Sequence, residues 1–252
     1  MSALENVTAL NSKNYIVHTK YLWLFILSYS MVFVAANWFD PRLINIFGLD
    51  TGAGAIIFPI TYLISDLITE VYGYKAARLT IWVGFFFNSV FLLYGQLIIH
   101  LPIPENVNNE GFDLFVHYNI RIIIAAVFSY LLGEPLNAYF ISKLKVFFNG
   151  RYIGIRFVLS TLIATSLNVI LFCTSAFYGV MNNNNFIFFM LNSWLFMVCI
   201  EFLLLPISIR LAQKIKQLER FDMYDRRTNF NLFSFDVKYN LQDNEYARRK
   251  LK

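Results

Sequence analysis

Four carboxylates stand inside long apolar runs of this 252-residue chain: Asp66, Glu70, Glu134 and Glu201. An ionised carboxylate deep in hydrocarbon costs on the order of 3 kcal/mol on insertion scales. Each therefore needs a polar pathway, a basic partner or a proton. Asp66 and Glu70 are one helical turn apart and share a stripe with Tyr62, close to Pro59 and Gly73. Glu134 stands among Tyr130, Gly133, Pro135 and Asn137, where the proline removes an amide donor and frees the carbonyl four residues back. A kinked polar spot around a buried acid suits binding; its structural alternative is an acid paired with a neighbouring helix for assembly. Glu201 shares its run with Asn192, Ser193, Trp194 and Pro206.

These groups point to recognition and passage of a ligand more than to bond making. His18, His100 and His117 are scattered at segment ends, and Cys173 and Cys199 lie in apolar runs without CxxC spacing. Neither a metal-ligand set nor a nucleophile–base pair can be read, and Gly-rich phosphate loops are missing. No cofactor is expected.

Membrane spans have to hold these side chains in place. The chain is 58% hydrophobic and 15% charged, with a mean hydropathy of +0.53. Runs of ~20 apolar residues are long enough to cross the hydrocarbon core. Six such runs are read, at about 21–36, 54–73 (with Lys75 and Arg78 just beyond), 79–101, 120–142, 157–180 and 186–209. The expected fold is therefore all-α and polytopic, with six transmembrane helices in a domain over 1–212. A charged cytoplasmic tail, 213–252, follows, carrying Arg226-Arg227 and Arg248-Arg249-Lys250. The first run has a signal-peptide rival, because Val34-Ala35-Ala36 passes as a cleavage site. It continues through Asn37, Trp38 and Phe39 without a break, which argues against cleavage.

A net charge of +5 raises nucleic-acid binding, but the basic residues lie in connections and in the tail. Of the 21 lysines and arginines, all but Arg42 and Arg121 fall on one side of the six-span arrangement. The positive-inside rule then places both termini in the cytoplasm. The partner implied is the lipid bilayer, with no nucleic acid. Asn37 either faces a substrate or caps the outer end of its helix. Thr161, Thr165 and Asn168 share one face, and of this stripe Asn168 is singled out, since Ser/Thr stripes are common helix glue.

The string FPITYLISDLITEVYGYKAAR, residues 58–78, resembles the signature of the queuosine precursor transporter family, also called the vitamin uptake transporter family. Weaker echoes at Asn37, from Gly133 to Leu144 and from Ser160 to Phe172 extend the likeness over about residues 20–212. The tail lies outside it. The chain departs from the family pattern where Asn137, Asn168 and Asn192 replace acids and Phe196 replaces a lysine. An amide hydrogen-bonds but neither counters a charge nor holds a proton.

The resemblance implies a small six-helix carrier, similar in fold to energy-coupling-factor substrate-binding subunits, and not an enzyme. It would import a queuosine precursor (7-cyano-7-deazaguanine or 7-aminomethyl-7-deazaguanine) or queuine, with no ATPase partner expected. A guanine-like edge presents adjacent N–H donors that one carboxylate can accept, and the flat ring can lie on an aromatic face. Glu134 is the first choice of acceptor. The expected substrate site comprises Asn37, Tyr130, Glu134, Asn137, Asn168, Asn192 and Trp194. Asp66 and Glu70, paired with Arg78 or Lys75, form with Glu201 the expected gate or coupling group. The alternatives are a carrier for another small heterocyclic nutrient, or an integral-membrane enzyme or assembly protein using the acids as pairs.

Overall fold

A computed structural model describes residues 19–180, 182–239 and 241–246. Among them six α-helices run in sequence order: α1 (Leu22–Phe39), α2 (Pro59–Tyr72), α3 (Tyr74–Ile98), α4 (Glu110–Phe147), α5 (Ile153–Phe177) and α6 (Asn183–Glu219). Five are long and apolar enough to cross a membrane. The exception is α2, whose 14 residues reach only ~21 Å at ~1.5 Å per residue. Nearly every α2 side chain is buried, wrapped by α1, α3, α4 and α6. A helix sheathed by protein need not match the hydrocarbon thickness, because irregular backbone at its end meets no lipid.

The second run, expected to open at Gly54 and to end at Gly73, does end there, but its helix starts only at Pro59. A short 3-10 turn, Ala53–Ile56, leads in, and Pro59 occupies the first helical position, where no amide donor is needed. Gly73 then breaks the chain at φ +84° and ψ 174°, a conformation open essentially to glycine. Helix α3 starts at the next residue.

The helix ends alternate between two faces. At one, Lys20 and Tyr21 amides and the Tyr72 hydroxyl all donate to the Glu219 carboxylate. Arg156, near the start of α5, pairs with Glu70 near the end of α2. At the other face, Trp38 meets Phe91 and Phe115 edge-on, and Arg121 donates to the Ser175 and Tyr178 carbonyls. These are called the basic end and the hairpin end below.

The hairpin itself was not expected of an all-α chain. Strands β1 (Leu43–Ile46) and β2 (Leu49–Gly52) pair antiparallel, with Leu43 opposite Gly52 and Ile46 opposite Leu49. Phe47 and Gly48 turn the chain at φ 54° and 83°, the signs a two-residue hairpin turn requires. β2 packs on α6, where Thr51 donates to Ser193 at 3.1 Å.

The last helix runs to Glu219, across the position at which the tail was expected to begin. Residues 221–239 then fold back over the basic end: the Met223 amide donates to the Val71 carbonyl, and Asp225 accepts the Tyr74 amide. His18, Arg248, Arg249 and Lys250 lie outside the described residues. Elsewhere the outward faces are apolar, with Met31, Phe86, Leu93, Phe128, Ile163 and Leu203 exposed. Large exposed apolar belts on five helices are explained by lipid.

Candidate functional site

The middle of the molecule is filled by aromatic rings and by acids without basic partners. Phe33 of α1 and Tyr130 of α4 stack at 4.1 Å, and Phe58 meets Tyr62 edge-on at 5.6 Å. The Tyr130 hydroxyl donates to the Ile81 carbonyl at 2.9 Å, so its polar end is tied to α3 while Phe33 covers its ring. Glu134, one turn along α4, is fully buried. The Ser65 and Tyr29 hydroxyls stand near its carboxylate, but neither closes a hydrogen bond to it, and both its oxygens are unpartnered. Tyr29 and Tyr62 are close enough to feel its charge, and both have buried hydroxyls that are likewise unpartnered. Orphaned groups of this kind cost about 1–3 kcal/mol each, and their clustering makes this layer the candidate site.

Two small chambers flank this aromatic layer. Toward the basic end, a small cleft between α2, α5 and α6 is lined by Tyr62, Asp66, Thr161, Glu201 and apolar neighbours. Asp66 accepts from the Asn137 amide at 2.7 Å and from Thr161 at 3.5 Å, while the Asn137 carbonyl oxygen stays unpartnered. Glu201 accepts from Thr165 at 3.0 Å. Toward the hairpin end lies a second small chamber with Asn37, Asp40, Phe58, Ser129 and Asn168 in its wall. Here Asn37 donates to Asn88 at 3.2 Å, and Asn168 reaches Ser129 at 3.4 Å.

The expected substrate residues are therefore shared between two chambers and the layer between them. Asn37 and Asn168 belong to the hairpin side, Asn137 to the Asp66 side, and Tyr130 and Glu134 to the layer. The other two stand apart: Trp194 donates to Ser166 at 3.0 Å across the α5–α6 contact, and its neighbour Ser193, instead of Asn192, meets the hairpin.

The pairing expected for Glu70 is corrected. Its carboxylate is gripped by Arg156, by Lys216 at 2.6 Å and by Lys145 at 4.0 Å. Neither Arg78 nor Lys75 reaches it. The break at Gly73 turns both residues outward onto the tail. Arg78 donates to the carbonyls of Asn229, Asn231 and Asp236 at 3.0, 2.8 and 2.6 Å, and Lys75 binds the Asp236 carboxylate at 2.6 Å. That lysine holds the Asp236 carboxyl below its ordinary range. Burial and the Asp225 carboxylate push the Tyr239 phenol well above its own. Asp222 completes the Glu70 cluster by bridging Lys145 and Lys216 at 2.8 and 2.7 Å.

Sequence reasoning missed Arg156, Lys145 and Lys216 as site residues because positive-inside counting assigns such residues to connections. It missed Asp40 because Asp-Pro reads as a turn. Its signal is the acid at the end of an apolar helix, the end where a negative charge is unfavourable.

The family described as "Putative vitamin uptake transporter" matches residues 52–211 of the chain. The "Probable queuosine precursor transporter" of Bacillus subtilis (strain 168) is 20% identical over 190 residues, covering 74% of this chain and 82% of that protein. The "Queuosine precursor transporter" of Escherichia coli (strain K12) is 26% identical over 121 residues, 46% of this chain and 51% of its own length. No solved structure matches the chain.

Proposed function

This chain belongs to the vitamin uptake transporter family, and from that premise we propose that it imports a queuosine precursor, a 7-deazaguanine base, across the cytoplasmic membrane. It is a multi-pass membrane transporter and not an enzyme. The proposal concerns the cargo and the direction.

The observation that carries it is Glu134, a buried carboxylate with both oxygens unpartnered and no lysine or arginine bonded to it among the described residues. A guanine-like edge offers adjacent N–H donors, and a single carboxylate accepts two of them at matching separation. The unpartnered Asn137 carbonyl oxygen, beside Asp66, adds a further acceptor. A cargo rich in acceptors, such as an anion, would meet repulsion from Asp66, Glu134 and Glu201 together. The relatives whose printed names state queuosine precursors agree with this choice.

The parts of the molecule suit alternating access. The basic end takes the cytoplasmic side, with Glu70, Arg156, Lys145, Lys216 and Asp222 as its seal and the tail fastened over it by Arg78 and Lys75. Asp66 and Glu201 then lie between the aromatic layer and that seal, on the exit path. The hairpin takes the outer side. Both termini are cytoplasmic in this arrangement, consistent with the positive-inside rule.

The decisive assay uses cells unable to make queuosine precursors. Expressing the chain, supplying each base at low concentration and measuring queuosine in tRNA should show modification that depends on the chain. Lack of modification with every base overturns the cargo.

A further inference from the structure

Asp40 is costly in three ways and is eased only by the Gly54 backbone. It follows the last residue of α1, where the helix dipole presents its negative end and a carboxylate is disfavoured. It is only 8% exposed, and its Oδ2 has no hydrogen-bond partner. The groups facing it carry no positive charge: Asn37 from α1, the Gly54 backbone, Ser129 from α4, Asn168 and Cys173 from α5, and Met197 from α6. The Cys173 thiol is the one titratable group among these. Desolvation lifts the Asp40 carboxyl to about 7, opposed by the nearby Gly54 backbone.

The chain nevertheless makes room for this side chain. A Cβ at Gly52 would overlap Asp40 Oδ1, and one at Gly54 would stand 2.6 Å from that oxygen and overlap the Ala36 carbonyl oxygen. Two glycines thus cradle one oxygen and leave Oδ2 free in the chamber wall. An acid kept there by special backbone, without a cap to make or a cation to meet, is an acceptor held ready for a ligand.

On the reading above that the cargo is a donor-bearing heterocycle, we infer that the chamber beside Asp40 is a separate recognition subsite for a ligand's amine. Asp40 Oδ2 accepts the ammonium N–H. Asn37, Ser129 and Asn168 offer further polar contacts, and Phe58 and Phe172 are the aromatic side chains of its wall. The subsite lies on the hairpin side of the Phe33–Tyr130 stack and is met before Glu134 by a ligand entering there. It favours a cargo bearing an aminomethyl group over one bearing a nitrile in the same place, because only the former supplies a charge-assisted bond.

The test compares three probes on purified, detergent-solubilised protein by thermal stabilisation: 7-aminomethyl-7-deazaguanine, 7-cyano-7-deazaguanine and benzylamine, which has a ring and an amine without the deazaguanine. Asp40→Asn is isosteric and removes an unpaired buried charge, so the unliganded variant should melt no lower than wild type. Apparent affinity for the two amines should fall by about tenfold or more in the variant, and affinity for the nitrile by less than about twofold. Amine binding by wild type should also weaken as pH falls through about 7, where Asp40 takes up a proton. Equal losses for amine and nitrile, or amine affinities unchanged in Asp40→Asn, overturn the subsite. Absence of amine binding to wild type overturns it too. The cargo proposal fails separately, when cells expressing wild type incorporate neither base even though benzylamine distinguishes wild type from variant.

Discussion

Single side chains carry most of the chemistry, and they divide into paired and unpaired acids. Glu134 is unpaired, and under the proposed cargo reading its replacement by Gln turns one acceptor into a donor facing the cargo's donors. Uptake by Glu134→Gln should fall by about tenfold or more, with unchanged yield and elution of the folded protein; unchanged uptake removes Glu134 from the site. Glu70 is paired, held by Arg156, Lys145 and Lys216. Removing one partner of a buried ion cluster leaves the others uncompensated and costs about 3–5 kcal/mol. Glu70→Gln should therefore lower the melting temperature sharply, whereas Asp66→Asn, whose partners are the Asn137 amide and the Thr161 hydroxyl, should melt near wild type. Similar melting of both variants contradicts this division. These acids were conspicuous in the linear sequence, because apolar surroundings make any carboxylate stand out. Their different duties were not, since Arg156 and Lys145 are far from Glu70 in sequence and reach it only when α4 and α5 close around α2.

Among the elements, Gly73 and the tail form one device. The break at Gly73 lets α2 end inside the bundle and sends Lys75 and Arg78 to the tail. A Cβ on Gly73 would overlap the Tyr239 hydroxyl and stand 3.2 Å from Met223 Cβ. Gly73→Ala thus meets both a disfavoured backbone and a clash, and should destabilise the detergent-solubilised protein by roughly 1–3 kcal/mol, read as a lower melting temperature. Arg78→Ala removes the donor to three tail carbonyls. In inside-out vesicles, trypsin should cut that variant at Arg226 or Lys238 faster than wild type; equal rates show that the tail is held without Arg78. The Lys75–Asp236 pair adds a pH dependence of known sign. Its carboxyl is depressed in the folded state, so its contribution is present above the ordinary aspartate value of about 3.9 and is lost as pH falls through the depressed one. Tail release should follow acidification below that range, not alkalinisation.

For the whole molecule, alternation of the helix ends makes a sided object from six helices, five of membrane length and one enclosed. Phe47, at the hairpin tip, is fully exposed and lies opposite the basic end. With the tail in the cytoplasm, Phe47→Cys on intact cells should react with a membrane-impermeant maleimide, while a reporter fused after Lys252 should read as cytoplasmic. Labelling of Phe47→Cys only in broken cells reverses the orientation.

Class, family likeness and the polar stripe were all readable along the linear chain. Hydrophobic runs and their lengths are local properties, and the bilayer converts them directly into helices. Even the end of α2 was marked, by Gly73 in the family string: its amide donates to the Thr69 carbonyl and closes the helix. Pairing between distant residues, by contrast, was settled only in the folded molecule. Arg156 and Lys216 lie 86 and 146 residues from Glu70, and the Arg78 contact with Asn229 spans 151 residues. Asp40 acquires its isolation only when Gly52 and Gly54 fold beneath it and α4, α5 and α6 close the chamber. Periodicity places a residue on a face; which charge it meets there depends on how the faces pack, and that information is spread over the whole chain.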